Sequence, residues 1–386
     1  MTLTTRLLLA LGVGALTLRA ASLPTVAETR PRARDLGVAP GVFSPGTFNA
    51  ITDVADVRVG HVTLIEGDRV RTGVTAIVPH GRNLFQDKVA GAVFVGNAFG
   101  KLAGSTQVDE LGTIETPIVL TNTLAVGTAV EAVVRYTLAQ PGNEDVRSVN
   151  ALIGETNDGG LNDIRALPVT GAHVRQAIER AISGPIDEGA VGAGTGTVCY
   201  GWKGGIGTSS RVLPSTAGGY TLGVLVQTNF GGHLTIDGVP VWKSLGRAAF
   251  APAAAAREAA ALADGSCMIV IATDAPLTAR DLQRVAARGV FALARTGSSY
   301  SNGSGDFAIA FSTSPNVRTP FDQREVLSRT LLPSAAVSPL FQATLEATEE
   351  AVYNSLFRAT TMTGNGTTIE ALPLDRVKAL LATRSR

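Results

Sequence analysis

Short apolar runs separated by glycine-rich turns dominate the first part of the chain. Runs rich in Val, Ile, Leu and Thr, bounded by Gly, Pro and Asn, are typical of β-strands. They lie at residues 57–65, 74–80, 91–97, 117–123, 149–154 and 220–229. The first helical pattern covers residues 127–138. The first part is therefore predicted to be rich in β-structure.

The pattern changes after residue 248. Residues 249–264 are rich in alanine and predict either a helix or a flexible linker, which Gly265 ends. Residues 267–277 form a continuous apolar run, which is typical of a buried central strand. Thr278 then predicts the N-cap of a helix. The apolar face of that helix would consist of Leu282, Val285, Ala286, Val290 and Leu293.

A further strand is predicted at residues 307–313, and further helices at 338–359 and 372–383. Strands and helices in this order favour a layered α+β domain. A doubly wound α/β sheet is disfavoured because strict strand–helix alternation is missing from the first half.

The N-terminus has the pattern of an export signal. Arg6 precedes an apolar stretch at residues 7–18, and small residues follow. We therefore expect residues 1–27 to be a signal peptide, with an uncleaved anchor as the alternative. Residues 28–46 are polar and rich in Pro and Gly and predict a flexible tail, so that 47–386 would be the single folded domain. The protein should be exported, to the periplasm or beyond the cell.

Composition excludes some functions. The chain has 386 residues, of which 45% are hydrophobic and 17% charged, with a net charge of +1. This balance gives no electrostatic case for a nucleic-acid partner. Cys199 and Cys267 both lie in apolar contexts, which favours two buried free thiols over a disulfide. There is no metal-ligand cluster of Cys and His, and the glycine-rich residues 192–211 match no nucleotide-binding motif, so no metal or cofactor is expected.

The Gly265–Ser266 bond is the most informative feature. Ser266 stands at the start of the buried strand. A serine hydroxyl is a weak nucleophile without a neighbouring base. An α-amino group, which titrates at about 7.7–8.0, would serve as that base if the chain were cut before Ser266. The same hydroxyl could make the cut by attacking the Gly265 carbonyl, since glycine has no Cβ in the way. The alternative is an ordinary turn from helix to strand.

Other polar residues could complete such a site. Ser304 and Asp306 are two positions apart, so on an extended chain both side chains face the same way and could orient Ser266. Asn229 closes an apolar strand and could donate to an oxyanion. Glu155 could bind a substrate ammonium group. Each also has a structural interpretation: a solvated loop, an Asx turn and an exposed turn carboxylate, respectively.

Seven segments carry a resemblance to a known family, and they cover nearly all of the chain from about residue 45. They are residues 49–63, 99–129, 154–164, 192–211, 226–232, 264–277 and 302–313. In this order they resemble the L-aminopeptidase D-amidase/D-esterases and β-peptidyl aminopeptidases, which are relatives of the ornithine acetyltransferases.

The resemblance implies a four-layer αββα sandwich, similar to that of N-terminal-nucleophile hydrolases but with different connectivity. It implies autocleavage between Gly265 and Ser266, giving a large subunit that ends at 265 and a small subunit 266–386. It also implies a tetramer of such cleaved pairs, acting on small peptides, amides or esters.

Site residues follow from the resemblance one by one. It implies Ser266 as the nucleophile, Ser304 and Asp306 as its hydrogen-bonding network, Asn229 in the oxyanion hole and Glu155 as the anchor for the substrate amine. Some relatives have Glu at the position of Asp306, so the reach of this carboxylate is one methylene shorter here.

We therefore expect a self-processing serine aminopeptidase that hydrolyses amide or ester bonds at the free amino terminus of L-, D- or β-amino acid substrates. The alternative is an acyltransferase of the ornithine acetyltransferase type, although those relatives use Thr and need no signal peptide. A Ser-His-Asp hydrolase is disfavoured because the chain has no G-x-S-x-G pentapeptide. A non-catalytic binding protein is disfavoured by the joint presence of Ser266, Ser304 and Asn229.

Overall fold

A computed structural model describes residues 30–250 and 265–383. The predicted signal peptide and nearly all of the alanine-rich segment lie outside these ranges. The strands are β1 (Arg58–Glu66), β2 (Val70–Val78), β3 (Asp87–Ala98), β4 (Leu102–Ala103), β5 (Thr113–Ile114), β6 (Ile118–Asn122), β7 (Leu152–Thr156), β8 (Val198–Cys199), β9 (Trp202–Lys203), β10 (Gly205–Val212), β11 (Thr221–Asn229), β12 (Ser266–Thr273), β13 (Gly305–Ser312), β14 (Thr319–Pro320), β15 (Met362–Gly364) and β16 (Thr367–Ile369). The helices are α1 (Ser105–Leu111), α2 (Val126–Leu138), α3 (Gly171–Glu179), α4 (Trp242–Leu245), α5 (Ala279–Thr296), α6 (Ser338–Arg358) and α7 (Leu374–Ala382).

Two large sheets form the centre of the molecule. The first has the order β1-β2-β6-β7-β4, and the second has the order β10-β11-β12-β13-β3-β14, with β5 also paired to β3. Neighbouring strands are antiparallel except for one parallel pair in each sheet: β6 with β7, and β12 with β13. The second sheet's parallel pair brings the starts of β12 and β13 together at one edge.

Strand β12 shows why its sequence is a continuous apolar run. Met268, Val270 and Ala272 share one core cluster with the strands of the first sheet. Cys267 and Ile269, on the opposite face, share another cluster with α5 and α6. Both faces are buried, so no polar alternation is needed. Helices α2 and α3 cover the outer face of the first sheet, which completes the predicted four-layer αββα sandwich.

Helix α5 begins where the sequence predicts. The Thr278 hydroxyl accepts a hydrogen bond from the Asp281 backbone N–H at 3.1 Å, as an N-cap residue does. All five predicted apolar positions of this helix are buried. In residues 30–250 and 265–383, no helix has the length and apolar character that crossing a membrane requires.

The N-terminal segment differs from the predicted flexible tail. From Arg30 onward it lies against α6, with Ala33 and Val38 buried. The Ala33 N–H donates to Asn354 at 2.9 Å, and Arg34 pairs with Glu350 at 2.9 Å. The polar residues of this segment bind buried partners on helix α6. These contacts cannot be predicted from the composition of the segment itself.

Cys199 and Cys267 are buried and free, as predicted. Burial raises the pKa of the Cys199 thiol to about 12. It also raises the pKa of Cys267. Both thiols are therefore protonated and unreactive at neutral pH.

Candidate active site

Three adjacent strands bring the candidate residues to one edge of the second sheet. Ser266 is the first residue of β12. It lies opposite Asn229, the last residue of β11, and opposite Gly305, the first residue of β13. The Ser266 residue is 6% exposed. The predicted nucleophile and the predicted oxyanion donor are therefore direct neighbours across the sheet.

Gly265 occupies a position that only glycine fits. Its φ angle is +147°, a region that other residues rarely adopt. A Cβ at this position would lie 1.9 Å from the Asn229 carbonyl oxygen, well inside van der Waals contact. The peptide bond before Ser266 is thus held in an unusual backbone conformation beside the candidate oxyanion donor.

A backbone N–H group contacts the Ser266 hydroxyl. The Gly305 N–H donates to Ser266 Oγ at 3.2 Å. The Ser304 hydroxyl donates to the Asp306 carboxylate at 2.8 Å, which confirms that these two side chains face the same way. Among the described residues, neither of them hydrogen-bonds the Ser266 side chain directly. Ser304 directly precedes the neighbouring strand β13, and Asp306 lies on that strand in register with Cys267.

Asp306 has a perturbed pKa. Burial raises the pKa of its carboxyl to about 6, while the Ser304 hydroxyl and the Cys267 backbone N–H act in the opposite direction. The carboxyl is therefore mostly ionised at neutral pH, and its hydrogen bond from Ser304 is then charge-assisted.

The Asn229 amide has a fixed orientation. The Val198 backbone N–H donates to Asn229 Oδ1 at 2.9 Å, which identifies that atom as the carbonyl oxygen. Asn229 Nδ2 has no hydrogen-bond partner among the described residues, and the residue is 7% exposed. An amide donor beside Ser266 with no protein partner is suited to an oxyanion.

Glu155 is buried rather than exposed on a turn. It lies on β7 and is 2% exposed. Its carboxylate accepts the Lys101 backbone N–H at 2.9 Å and the hydroxyl of Thr123. The Lys101 ammonium group lies 3.7 Å away and is half exposed. A carboxylate has about four lone-pair sites, so this one retains acceptor capacity for a second cation.

Gly100 links Glu155 to the Ser266 edge. A Cβ on Gly100 would lie 3.2 Å from Glu155 Oε1 and 3.6 Å from the Gly305 Cα. Glu155 and the residue that contacts the Ser266 hydroxyl therefore border the same glycine. Thr123 and Lys101, which hold Glu155, are not evident from the sequence pattern around GETNDG.

Lys203 is a further residue near the site that sequence reasoning missed. It is fully buried, and its ammonium group donates to the carbonyls of Gly194, Thr197 and Gly204. Burial lowers its pKa to about 7. The only signal in the sequence is a lysine among glycines and apolar residues in segment 192–211.

The histidines do not support a Ser-His-Asp site. Each makes a hydrogen bond away from Ser266. The partners are Thr75 for His61, Asp87 and Arg82 for His80, Thr170 for His173 and Ala249 for His233. Within the described ranges, no group of three or more His, Cys, Asp or Glu side chains could hold a metal ion.

A four-layer αββα sandwich, with a serine at the start of a buried strand beside an asparagine amide, places the protein in the fold class of the Ntn hydrolases. Residues 49–369 match Peptidase family S58, and the chain belongs to that family. It is 42% identical to the β-peptidyl aminopeptidase BapA of Sphingosinicella microcystinivorans over 373 residues, which covers 91% of this chain and 92% of the relative.

Solved structures agree with this assignment. A Burkholderia sp. β-aminopeptidase is 37% identical, with a TM-score of 0.83 over 91% of this chain and 98% of that one. The L-aminopeptidase D-Ala-esterase/amidase of Ochrobactrum anthropi is 36% identical, with a TM-score of 0.82 over 92% of this chain and 98% of that one. It is described as a prototype of the serine aminopeptidases and as a new variant of the Ntn hydrolase fold.

These findings define the activity. The chain is a serine aminopeptidase, as the sequence predicts. Both the family and the relatives are peptidases, and they give no support to the acyltransferase alternative.

Proposed function

We propose that the chain cuts itself between Gly265 and Ser266 and then uses Ser266 as an N-terminal nucleophile. The observation that carries this proposal is the pairing of Gly265, in a conformation that only glycine adopts, with a serine that faces Asn229 across the sheet. A glycine at this point leaves the carbonyl open to the neighbouring hydroxyl.

In the self-cleavage step, Ser266 Oγ attacks the Gly265 carbonyl carbon. The C–N bond breaks, an ester forms and the Ser266 nitrogen gains the proton as a free amine. Water then hydrolyses the ester, which releases a carboxylate at Gly265 and regenerates the hydroxyl.

In each turnover, the α-amine of Ser266 takes the hydroxyl proton as Oγ attacks the substrate carbonyl. The amine then gives this proton to the leaving group as the substrate's C–N or C–O bond breaks, and water hydrolyses the resulting ester, which releases the acid product and regenerates the hydroxyl. The ionised Asp306 accepts from the Ser304 hydroxyl, so the oxygen of Ser304 is turned to accept from the α-amine and orients it. The Asn229 amide donates to the oxyanion. Losing one such donor typically costs about 10²–10³ in kcat.

Glu155 binds the substrate ammonium group and so restricts the enzyme to free amino termini. Its buried carboxylate is held by Lys101 and Thr123 and borders the same glycine as the Ser266 edge. The substrates are short peptides, amides or esters. A peptide with an N-terminal β-amino acid is the first to test, because relatives named for β-peptides share 42% and 37% of their residues with this chain.

Export and assembly complete the proposal. Residues 1–27 have the pattern of a signal peptide and direct the protein to the periplasm or beyond. The cleaved pairs form a tetramer. Support comes from the apolar side chains that the exposed segment 321–332 presents, among them Phe321 and Val326, the latter 99% exposed.

Intact mass under denaturing conditions tests self-cleavage. The wild type should give two fragments, the smaller starting at Ser266, and Ser266→Ala should remain one chain. A wild type that stays uncut, or a Ser266→Ala variant that is still cut at this bond, would overturn the proposal.

Kinetics of Glu155→Gln test the amine anchor. This change removes the charge that attracts the ammonium group, and we expect kcat/KM for a free-amino substrate to fall about 10²-fold or more, in keeping with loss of a hydrogen-bonded charge pair. Full activity in this variant would contradict the role of Glu155.

A further inference from the structure

The geometry points to Lys203 as a positioning residue for the oxyanion hole, acting on Asn229 through the peptide group between Thr197 and Val198. This inference rests on the proposed role of Asn229. Lys203 itself is fully buried and touches neither Ser266 nor solvent.

The ammonium group of Lys203 is saturated by backbone carbonyls. It donates to Gly194 at 2.9 Å, to Thr197 at 2.9 Å and to Gly204 at 2.7 Å. An ammonium group has three N–H donors, so all three are used. In the described part of the chain no carboxylate forms an ion pair with it. The ammonium group of Lys203 therefore binds backbone carbonyls and not an acidic side chain.

One of those carbonyls belongs to the peptide group that orients Asn229. The Thr197 carbonyl and the Val198 N–H are the two ends of a single planar unit. Lys203 holds its oxygen, and Asn229 Oδ1 accepts its N–H at 2.9 Å. The peptide plane is thereby fixed between the lysine and the asparagine.

Rotation of that plane would affect the oxyanion site directly. If the Val198 N–H moved away from Oδ1, the Asn229 amide would be free to turn, and its oxygen could face the oxyanion in place of the Nδ2 donor. The second clamp limits such rotation: the Gly204 N–H donates to the Thr197 carbonyl at 3.1 Å, and Lys203 also holds the Gly204 carbonyl. Without the ammonium group, the carbonyls of Gly194 and Gly204 lose a buried partner.

Burial opposes the charged form of Lys203, which is the form with three N–H donors for the three carbonyls. Desolvation lowers the pKa of Lys203 to about 7, and the buried carboxylate of Asp158 acts in the opposite direction. An apolar side chain of similar length would avoid that desolvation but would bind none of the three carbonyls.

The test is a double-mutant cycle between Lys203→Met and Asn229→Ala. Kinetics are expressed per mole of processed small subunit, measured by mass. We expect Lys203→Met to lower kcat by about 10²-fold, as a misplaced catalytic group does, with KM changed by less than about 3-fold. In the Asn229→Ala background, Lys203→Met should lower kcat by less than about 3-fold, since the donor it positions is already gone.

A matched control is Arg211→Met, which makes the same change at another fully buried cation and should leave kcat unchanged. The inference is overturned if Lys203→Met retains wild-type kcat, or if the losses of the two single variants multiply in the double variant. If Lys203→Met does not accumulate as folded protein, Lys203→Gln, whose NH₂ group keeps two of the three N–H donors without the charge, enters the same cycle with the same expectations. If the wild type hydrolyses no free-amino substrate, the proposed function fails, and the cycle on the rate of self-cleavage tests the inference by itself.

Discussion

Two fully buried cations near opposite ends of β10 have contrasting surroundings. Lys203 ends β9, two residues before β10 begins at the Ser266 edge, whereas Arg211 lies near the other end of β10. Arg211 is in register with Leu222, which is in register with Thr273 at the far end of β12 from Ser266. The protein therefore buries one positive charge beside the site and one far from it.

The distant cation is fully paired. Arg211 forms ion pairs with Glu346 at 3.1 Å and with Glu350 at 2.8 Å, and it also donates to the Pro40 carbonyl at 2.9 Å. These two carboxylates accept from the N-terminal segment as well, through Val42 and Asn49. This network joins α6, β10 and the N-terminal segment, and its function is structural.

Among the described residues, Lys203, Asp158 and Asp306 at the active edge form no ion pair. Lys203 binds only carbonyls, and its pKa is lowered by burial. Burial raises the pKa of Asp158 to about 6 and that of Asp306 to about 6. Groups held near neutrality by burial cluster at functional sites. The contrast indicates that a buried charge without a paired countercharge marks the functional edge of this sheet.

Arg211→Met is expected to have the largest effect on stability. Removing Arg211 from the buried ion-pair network leaves Glu346 without its ion-pair partner and Glu350 with Arg34 alone, and breaking a buried pair typically costs about 3–5 kcal/mol. We expect the free energy of unfolding in urea to fall by that amount, while kcat per folded molecule stays unchanged. Lys203→Met should lower kcat more than Arg211→Met does, and it should lower the free energy of unfolding less. A loss of kcat in Arg211→Met would remove the distinction between the two regions.

Asp306→Asn is expected to lower kcat by about 10²-fold, because its neutral amide no longer holds Ser304 as a charged acceptor does. The wild-type carboxyl ionises as pH rises through about 6, where its folded-state pKa lies. Ionisation of Asp306 and deprotonation of the α-amine, at about 7.7–8.0, are both needed for activity. A plot of log kcat/KM against pH should thus rise with a slope of about two below pH 6 and about one between pH 6 and about 7.7, and it should level off above about pH 8.

The variant should show a slope of about one at all pH values below about 7.7 and the same plateau above about pH 8, because only the α-amine titrates. Stability gives an independent check. The folded state holds the Asp306 proton more tightly than the unfolded chain, because burial raises the pKa of this carboxyl. The free energy of unfolding of the wild type should therefore fall as the pH rises from about 4 to about 6. This fall should be absent in Asp306→Asn. Identical profiles for both proteins would exclude Asp306 from the site.

The sequence predicts the parts of this architecture that depend on local pattern. The run after Ser266 predicts a strand buried on both faces, and Thr278 predicts the start of α5; both are confirmed. The αββα layers follow from the family resemblance. The pairing of Asn229 with Ser266 depends on the order of strands in the sheet, which the strand sequences do not encode one by one.

The features that the sequence does not show arise from contacts between distant segments. The local sequence leaves an exposed turn open as the alternative for Glu155, because its partners, Lys101 and Thr123, lie on other segments. The sequence does not single out Lys203, because its three partners are backbone carbonyls. The N-terminal segment is read as a tail because its buried partners lie on α6, some 300 residues away in the chain.

Glu131→Gln is expected to have the smallest effect on the free energy of unfolding. It serves as the exposed-charge reference for the buried charges. Glu131 pairs with Arg135 across one turn of α2 at 2.8 Å, but the two side chains are 67% and 76% exposed. Exposed pairs at this spacing contribute about 0.3–0.5 kcal/mol because water and salt screen them. The free energy of unfolding should fall by no more than this amount, and the difference should vanish in about 1 M salt. A loss as large as that of Arg211→Met would mean that burial is not what separates structural charges from solvated ones in this protein.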